Sequence, residues 1–252
     1  MKTAVISGGA GGLGRAMAER LQGRGYRTIL LDLNIDGVPR TELQLPIACD
    51  LTDQDQLAAA TDRIRRDYPE IDLVIYNAGI TQISAFGDMQ ESAHRKIFEV
   101  NYFSATALAG ALLHPVRAAH GTHLAISSVA GFAPLFHRTA YAASKHALEG
   151  FFKSLRSEEV QYGVRCQIAA PSFIATNVGN PEFRADGTSR PGAATDGLGD
   201  ITAEQAADTI LRGLDRGAPL IPVGRVAWLA WWLNGLSPRL FQRLMERKFR
   251  DI

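Results

Sequence analysis

Apolar runs of strand length alternate with helical patterns through most of this chain. Residues 3–7 make a β-rich run that ends in a cluster of glycines. Across residues 12–25 the apolar Leu13, Met17 and Leu21 recur at i, i+4 and i+8, one face of a helix that Gly23 and Gly25 help to end. Further strands are predicted at 28–31, closed by Asp32, and at 46–49, followed by Asp50. Thr52 or Asp53 can cap a helix running to about Tyr68, because a side-chain oxygen there accepts from the first free backbone N–H groups. Strands at 72–76 and 123–127 flank a single long helix over 91–118. A helix over 141–162, a strand over 165–169, a helix over 203–215 and a last strand over 220–223 complete the pattern.

Strands that are apolar on both faces and alternate with helices specify a parallel sheet covered on both sides. The expected fold class is therefore α/β, a doubly wound parallel sheet, in one domain over residues 1–252. No linker rich in Pro, Gly or Ser divides the chain, and no period of 20–50 residues repeats. The polar, Gly- and Pro-rich residues 177–200 break the regularity. A long loop in a compact domain is commonly functional, so this one is expected to be a mobile substrate loop.

Composition narrows the function classes. The 252 residues carry 27 Lys and Arg against 26 Asp and Glu, a net charge of +1, which gives no electrostatic footprint for nucleic acid. The two cysteines, Cys49 and Cys166, lie in apolar strand-like settings and read as buried, inert thiols. The six histidines lack ligand spacing, so no metal is expected; His120 and His123, in the turn-like A-H-G-T-H, read as surface residues. The N-terminus enters a strand pattern at once, and no run approaches the roughly 18 uncharged residues of a spanning helix. A cytoplasmic location is expected.

The chemistry begins at residues 7–14, S-G-G-A-G-G-L-G. Three spacings overlap there: Gly9, Gly11 and Gly14; Gly8, Gly11 and Gly14; and Gly8, Gly12 and Gly14. A glycine turn between a strand and a helix lets backbone N–H groups approach a pyrophosphate, while the helix N-terminus supplies partial positive charge. Asp32, 18 residues after Gly14, ends the second strand, where a carboxylate can accept from both ribose hydroxyls of an adenosine. It would repel a 2′-phosphate of about −1.5 to −2 charge, so NAD is expected rather than NADP, Arg15 being the nearby cation that could favour the latter.

A second group of residues lies in Y-A-A-S-K, where Tyr141 and Lys145 share a helix face at i, i+4. Bringing a phenol from about 10 to about 7 takes roughly 4 kcal/mol, within reach of a close ammonium and a bound cationic ring. Such a tyrosine exchanges protons with a substrate hydroxyl or carbonyl. Ser128, 13 residues before Tyr141, stands just past a strand, at the sheet edge where ligands bind.

With these segments the chain resembles the short-chain dehydrogenases/reductases, from Lys2 to about Thr176. The glycine loop is similar to that family's T-G-x-x-x-G-[IL]-G, with Ser7 for Thr and Gly8, Gly12, Leu13 and Gly14 in the matching places. That register selects Gly12 as the second glycine and leaves Gly9 and Gly11 as permissive extras. Asp50 and Leu51 resemble the D-[VL] that meets adenine, and Tyr76-Asn77-Ala78-Gly79 resembles N-N-A-G with Tyr for the first Asn. Val100-Asn101, Ser127-Ser128-Val129-Ala130-Gly131 and Tyr141 to Lys145 resemble the catalytic segments. Pro171-Ser172-Phe173-Ile174-Ala175-Thr176 resembles P-G-x-[IV]-x-T, with Ser172 where Gly is usual.

The resemblance implies a Rossmann fold and an NAD(P)-dependent alcohol/ketone oxidoreductase with a small-molecule substrate, working as a homodimer or homotetramer. It implies Tyr141 as general acid/base, Lys145 lowering its pKa and holding the nicotinamide ribose, Ser128 orienting the substrate oxygen, and Asn101 fixing a water that passes the proton on. Cofactor contacts would come from Gly8, Gly12, Leu13, Gly14, Asp32, Asp50, Leu51, Asn77, Ala78, Gly79, Tyr141, Lys145, Pro171, Ile174 and Thr176. By matched position the substrate pocket takes Ile80, Thr81, Gln82, Val129, Phe132, Phe136, Phe173 and Ile174, of which only Thr81 and Gln82 are polar. An apolar secondary alcohol or ketone is expected. A small polyol or sugar-like alcohol is the alternative, and a non-catalytic dinucleotide-binding regulator would not need all four of Asn101, Ser128, Tyr141 and Lys145.

Residues 225–252 depart from the common family ending. Trp228, Trp231 and Trp232 gather at i, i+3 and i+4, and after a break at 235–238, Leu240, Leu244 and Lys248 share one side with Phe241 and Met245 beside it. Arg239, Arg243, Arg247, Lys248 and Arg250 make this segment basic. Its expected destinations are the substrate cleft, a subunit interface, or a weak contact with an anionic membrane surface.

Overall fold

The computed structural model describes residues 1–176, 184, 186–192 and 201–248. Its first half comprises β1 (Lys2–Ser7), α1 (Gly12–Gln22), β2 (Tyr26–Asp32), β3 (Gln44–Ala48), α2 (Gln54–Asp67) and β4 (Leu73–Tyr76). A two-residue strand β5 (Thr81–Gln82) and helix α3 (Glu91–Phe98) lead through a π-helical turn, Glu99–Phe103, into α4 (Ser104–Ala118). Then come β6 (Thr122–Ile126), α5 (Thr139–Glu159), β7 (Arg165–Pro171) and the short strands β8 (Ile174–Ala175), β9 (Thr188–Ser189) and β10 (Ile201–Thr202). The chain finishes with α6 (Ala203–Asp215), β11 (Leu220–Val223), α7 (Arg225–Leu236) and α8 (Pro238–Lys248).

Seven strands form one parallel sheet in the order β11-β7-β6-β4-β1-β2-β3. Alternate residues of each strand face opposite layers. Val5, Ile29 and Leu31 pack with Ile64, Leu108 and Phe152 beneath α2, α4 and α5. Ala4, Ile6 and Leu30 pack with Met17, Leu21, Ile210 and Leu211 beneath α1 and α6. Each large apolar side chain so buried contributes about 1.5–3 kcal/mol. The chain winds one way from β1 through β2 to β3 and the other way from β4 outwards, so the order reverses between β1 and β4. The crevice beyond the carboxyl ends of those two strands is the ligand position of a doubly wound sheet.

Local sequence explains most boundaries. Asp53, not Thr52, caps α2, accepting from the amides of Asp55 and Gln56. The helix expected over 91–118 is interrupted instead: the Ser104 amide bonds Glu99 O, five residues back, and the extra residue in that turn directs Asn101 inward. The apolar spacing runs on through the turn, which is why periodicity alone merges α3 with α4. His123 is not a surface residue. It lies in β6, fully buried, with Nδ1 2.6 Å from the Tyr76 hydroxyl, and burial pushes its pKa down to about 4. His120 is exposed, as expected. Both cysteines are buried and free, their thiols pushed up to about 11 for Cys49 and about 12 for Cys166. The loop expected over 177–200 falls largely outside the described residues. Its part at 188–189 pairs antiparallel with β5.

Candidate active site

The glycine loop is shaped by contacts that exclude side chains. Gly8 has φ +63°, and a Cβ there would come within 2.9 Å of Ala78 Cα. A Cβ on Gly14 would collide with the Gly8 carbonyl. Gly12 faces Thr176, whose Cβ would lie 3.1 Å away. Gly11 is open, with only Gly8 O at 3.4 Å, and is permissive as expected. Gly9 is not: a Cβ there would sit 2.6 Å from Leu30 Cβ and 2.9 Å from Leu30 Cα, so the loop could not lie against β2. The result is a backbone cradle at the N-terminus of α1, which suits a pyrophosphate.

The surrounding strand ends fix that cradle. Ser7 Oγ accepts from the amides of Asn77 and Ala78 at 3.0 and 3.1 Å, so a serine ties β1 to β4 where the related pattern has threonine. Asn77 Nδ2 donates to Gly8 O at 2.9 Å. Asp32 Oδ2 accepts from the Ala10 amide at 2.9 Å, holding the loop to the end of β2. Arg15 Nε donates to Ala10 O at 2.8 Å. Asp50 is engaged by Thr52, through its amide and its hydroxyl. Gly8, Gly12, Leu13, Asp32, Asp50, Leu51, Asn77, Ala78, Gly79, Pro171, Ile174 and Thr176 all line one cavity of about 1680 Å³. Gly14 does not, since it is buried beneath the loop. Ser172, standing for the usual glycine, donates from Oγ to Val223 O at 3.2 Å, tying this segment to β11.

Ser128, Tyr141 and Lys145 line the same cavity. The Ser128 side chain favours the Tyr141 phenolate, acting against the burial that raises the Tyr141 pKa. Lys145 is buried with Nζ 2.9 Å from Ile126 O, and burial brings its pKa down to about 8, with the Glu149 carboxylate pulling the other way. Asn101 is buried just behind: Oδ1 accepts from the Ile80 amide at 2.8 Å, and Nδ2 donates to Ile80 O and Ser144 Oγ, both at 3.0 Å. Its side-chain N–H groups are thus committed to the turn after β4 and to α5, which leaves one lone pair on Oδ1.

The Lys145 ammonium lies 5.8 Å from the Tyr141 ring centre. Burial raises the Tyr141 pKa, and the positive charge of Arg138 and the Ser128 side chain act against it. The Arg138 guanidinium lies 5.9 Å from the Tyr141 ring centre and donates to Thr81 Oγ1 at 2.7 Å. Arg138 is the N-cap of α5, where a cation opposes the helix dipole. Sequence reasoning passed over it although it stands three residues before Tyr141. Glu149 was missed too: buried at i+4 from Lys145, it accepts from Ser127 Oγ at 2.8 Å and Lys153 Nζ at 2.7 Å.

The substrate end also differs from expectation. Ile80, Val129, Phe136, Phe173 and Ile174 line the cavity, but Thr81, Gln82 and Phe132 do not. Thr81 and Gln82 are buried in the β5–β9 ribbon, and Phe132 packs against α7 and α8. In their place Val226, Leu229, Ala230, Leu233, Phe241 and Met245 form an apolar wall from the C-terminal helices. Lys96, Arg138 and Arg184 supply polar lining. Among the described residues no group of His, Cys, Asp or Glu could hold a metal ion.

The short chain dehydrogenase family profile matches residues 2–187. The chain belongs to the short-chain dehydrogenase/reductase family. It is 32% identical to the Bos taurus dehydrogenase/reductase SDR family member 7B over 267 residues, covering 98% of this chain and 81% of that protein. In fold it is similar to a short chain dehydrogenase from Burkholderia cenocepacia J2315 in complex with NADP (TM-score 0.83, 22% identity, 97% of this chain and 99% of that one). It is also similar to a short chain dehydrogenase/reductase from Burkholderia phymatum in complex with NAD (TM-score 0.80, 19% identity, 95% and 94%). Short-chain dehydrogenases/reductases are oxidoreductases of nicotinamide dinucleotides, and the glycine cradle and sheet crevice of this member fit such a group.

Proposed function

We propose that this protein is an NAD-preferring oxidoreductase that interconverts an apolar secondary alcohol and its ketone. One observation carries the reading: Ser128, Tyr141 and Lys145 line the cavity that the glycine cradle opens into. The Tyr141 phenolate takes the proton from a substrate alcohol, and the phenol returns it to a ketone. Ser128 orients the substrate oxygen toward that group. Lys145, held on Ile126 O, adds positive charge beside the proton's path. Asn101 holds the turn carrying Gly79 and Ile80 against the site. When bound, the nicotinamide ring supplies or accepts the hydride. Gly8, Gly12 and Gly14 would shape the cradle for its pyrophosphate.

Asp32 supports NAD. Its carboxylate borders the cavity where an adenosine ribose would lie, and a 2′-phosphate there would meet like charge. The wall built by α7 and α8 supports an apolar substrate, since a polyol would leave hydroxyls unpaired against it. Assay of a panel of apolar secondary alcohols, polyols and sugars with NAD and with NADP tests both points. Apolar alcohols with NAD should give the highest kcat/KM. A preference for sugars or for NADP would contradict the corresponding half of the reading.

A further inference from the structure

Between Val226 and Leu233 helix α7 is apolar all round. Ala227, Ala230 and Leu233 face the cleft and the turn at Val129–Gly131. The opposite face holds Trp228, Trp231 and Trp232, exposed by 56%, 42% and 49%, together with the more exposed Leu236. Helix α8 buries Phe241 and leaves Leu240 and Leu244 exposed beside Arg239, Arg243 and Arg247. A helix with no polar side belongs in a core or in lipid, and this one has a core on one side only.

Charge selects the covering surface. Residues 225–252 hold six of the chain's 27 basic residues and two of its 26 acidic ones, leaving 21 basic against 24 acidic in the rest. The apolar patch therefore lies on the positive part of an otherwise negative molecule. A twofold contact between copies would set this patch against itself, bringing Arg239, Arg243 and Arg247 toward their own counterparts. The acid on α8, Glu246, is already bonded by Gln242. An anionic bilayer surface satisfies both features, because indole rings sit at the headgroup level and arginines meet negative headgroups.

We propose that α7 and α8 dock this protein onto an anionic membrane surface, lying in the headgroup region. Among the described residues no helix is long and apolar enough to cross a membrane. Val226 and Leu229 are exposed and also line the cleft, so the bilayer would meet the cleft mouth and a lipid-dissolved substrate could enter directly. That entry route rests on the apolar-substrate reading above; the docking itself does not.

The chain's three tryptophans all lie in this patch, so intrinsic tryptophan emission reports on it alone. Phosphatidylcholine vesicles containing phosphatidylserine should shift the emission of the full-length protein to the blue and carry the protein up in flotation, less so in high salt. The combined R239Q, R243Q and R247Q variant should bind these vesicles at least about tenfold more weakly. W228A with W231A, leaving Trp232 as reporter, should do the same. Turnover of a water-soluble substrate should be unchanged in both, which separates failure of docking from failure of the catalytic reading. Absence of a shift and of flotation at low salt would overturn the proposal. So would equal binding to phosphatidylcholine alone, or a lipid-free dimer whose emission is already blue-shifted, which would make the covering surface a second copy.

Discussion

At the scale of the residue, the tyrosine proposed to react has a second positive charge, from outside the Y-x-x-x-K segment, as near its ring as Lys145. Burial alone would keep the Tyr141 phenol protonated, and the Arg138 guanidinium 5.9 Å from its ring acts against that. Alcohol oxidation requires the unprotonated phenol, so its kcat/KM rises with pH through the tyrosine's titration. Removing a nearby positive charge destabilises the phenolate and raises its pKa. R138Q should therefore move the rising limb to higher pH and lower oxidation several-fold at neutral pH, with R138K restoring most of the loss. A pH–rate profile for R138Q that overlays the wild type would show that Arg138 only braces Thr81. That Tyr141, Lys145 and Ser128 share one cavity could be read from the sequence, because their spacing sets them at one sheet edge and on one helix face. Arg138 was within reach at i−3, but an arginine ahead of a helix carries no such signal. His123 was read as part of a polar turn although the strand expected over 123–127 begins with it; its ring packs against Tyr76 and Phe152.

At the scale of the element, the strands and helices follow the apolar pattern closely, because burial on two faces leaves few alternative placements. What the pattern misses is local backbone geometry. The π-helical turn adds one residue without breaking the apolar spacing, yet it directs Asn101 onto Ile80. The glycine loop teaches the same lesson: sequence spacing ranks Gly9 with Gly11, while packing separates them. G9A places a methyl against Leu30 and should cost roughly 1–3 kcal/mol, the usual scale of overpacking, and weaken NADH binding. G11A has only one contact to make and should melt close to wild type. Thermal melts of the two variants check this directly, and equal melting temperatures would contradict the close packing of Gly9 on Leu30.

At the scale of the whole molecule, the sheet reverses its winding beside the glycine cradle, and the same crevice receives Tyr141 from α5 and an apolar wall from α7 and α8. Fold class and cofactor crevice were legible from strand–helix alternation and the glycine turn. The far wall was not, because three tryptophans in a row of helical positions could equally face a cleft, a subunit or a bilayer. Their helix in fact does two things, covering the cleft with its small side chains and presenting its indoles outward. The central claim is that one cavity joins a dinucleotide cradle to a tyrosine general acid/base. Steady-state turnover and NADH affinity of Y141F test it most directly. The account predicts a fall in kcat of at least about two orders of magnitude, with NADH bound nearly as tightly as by the wild type. Near-normal turnover in Y141F would contradict it.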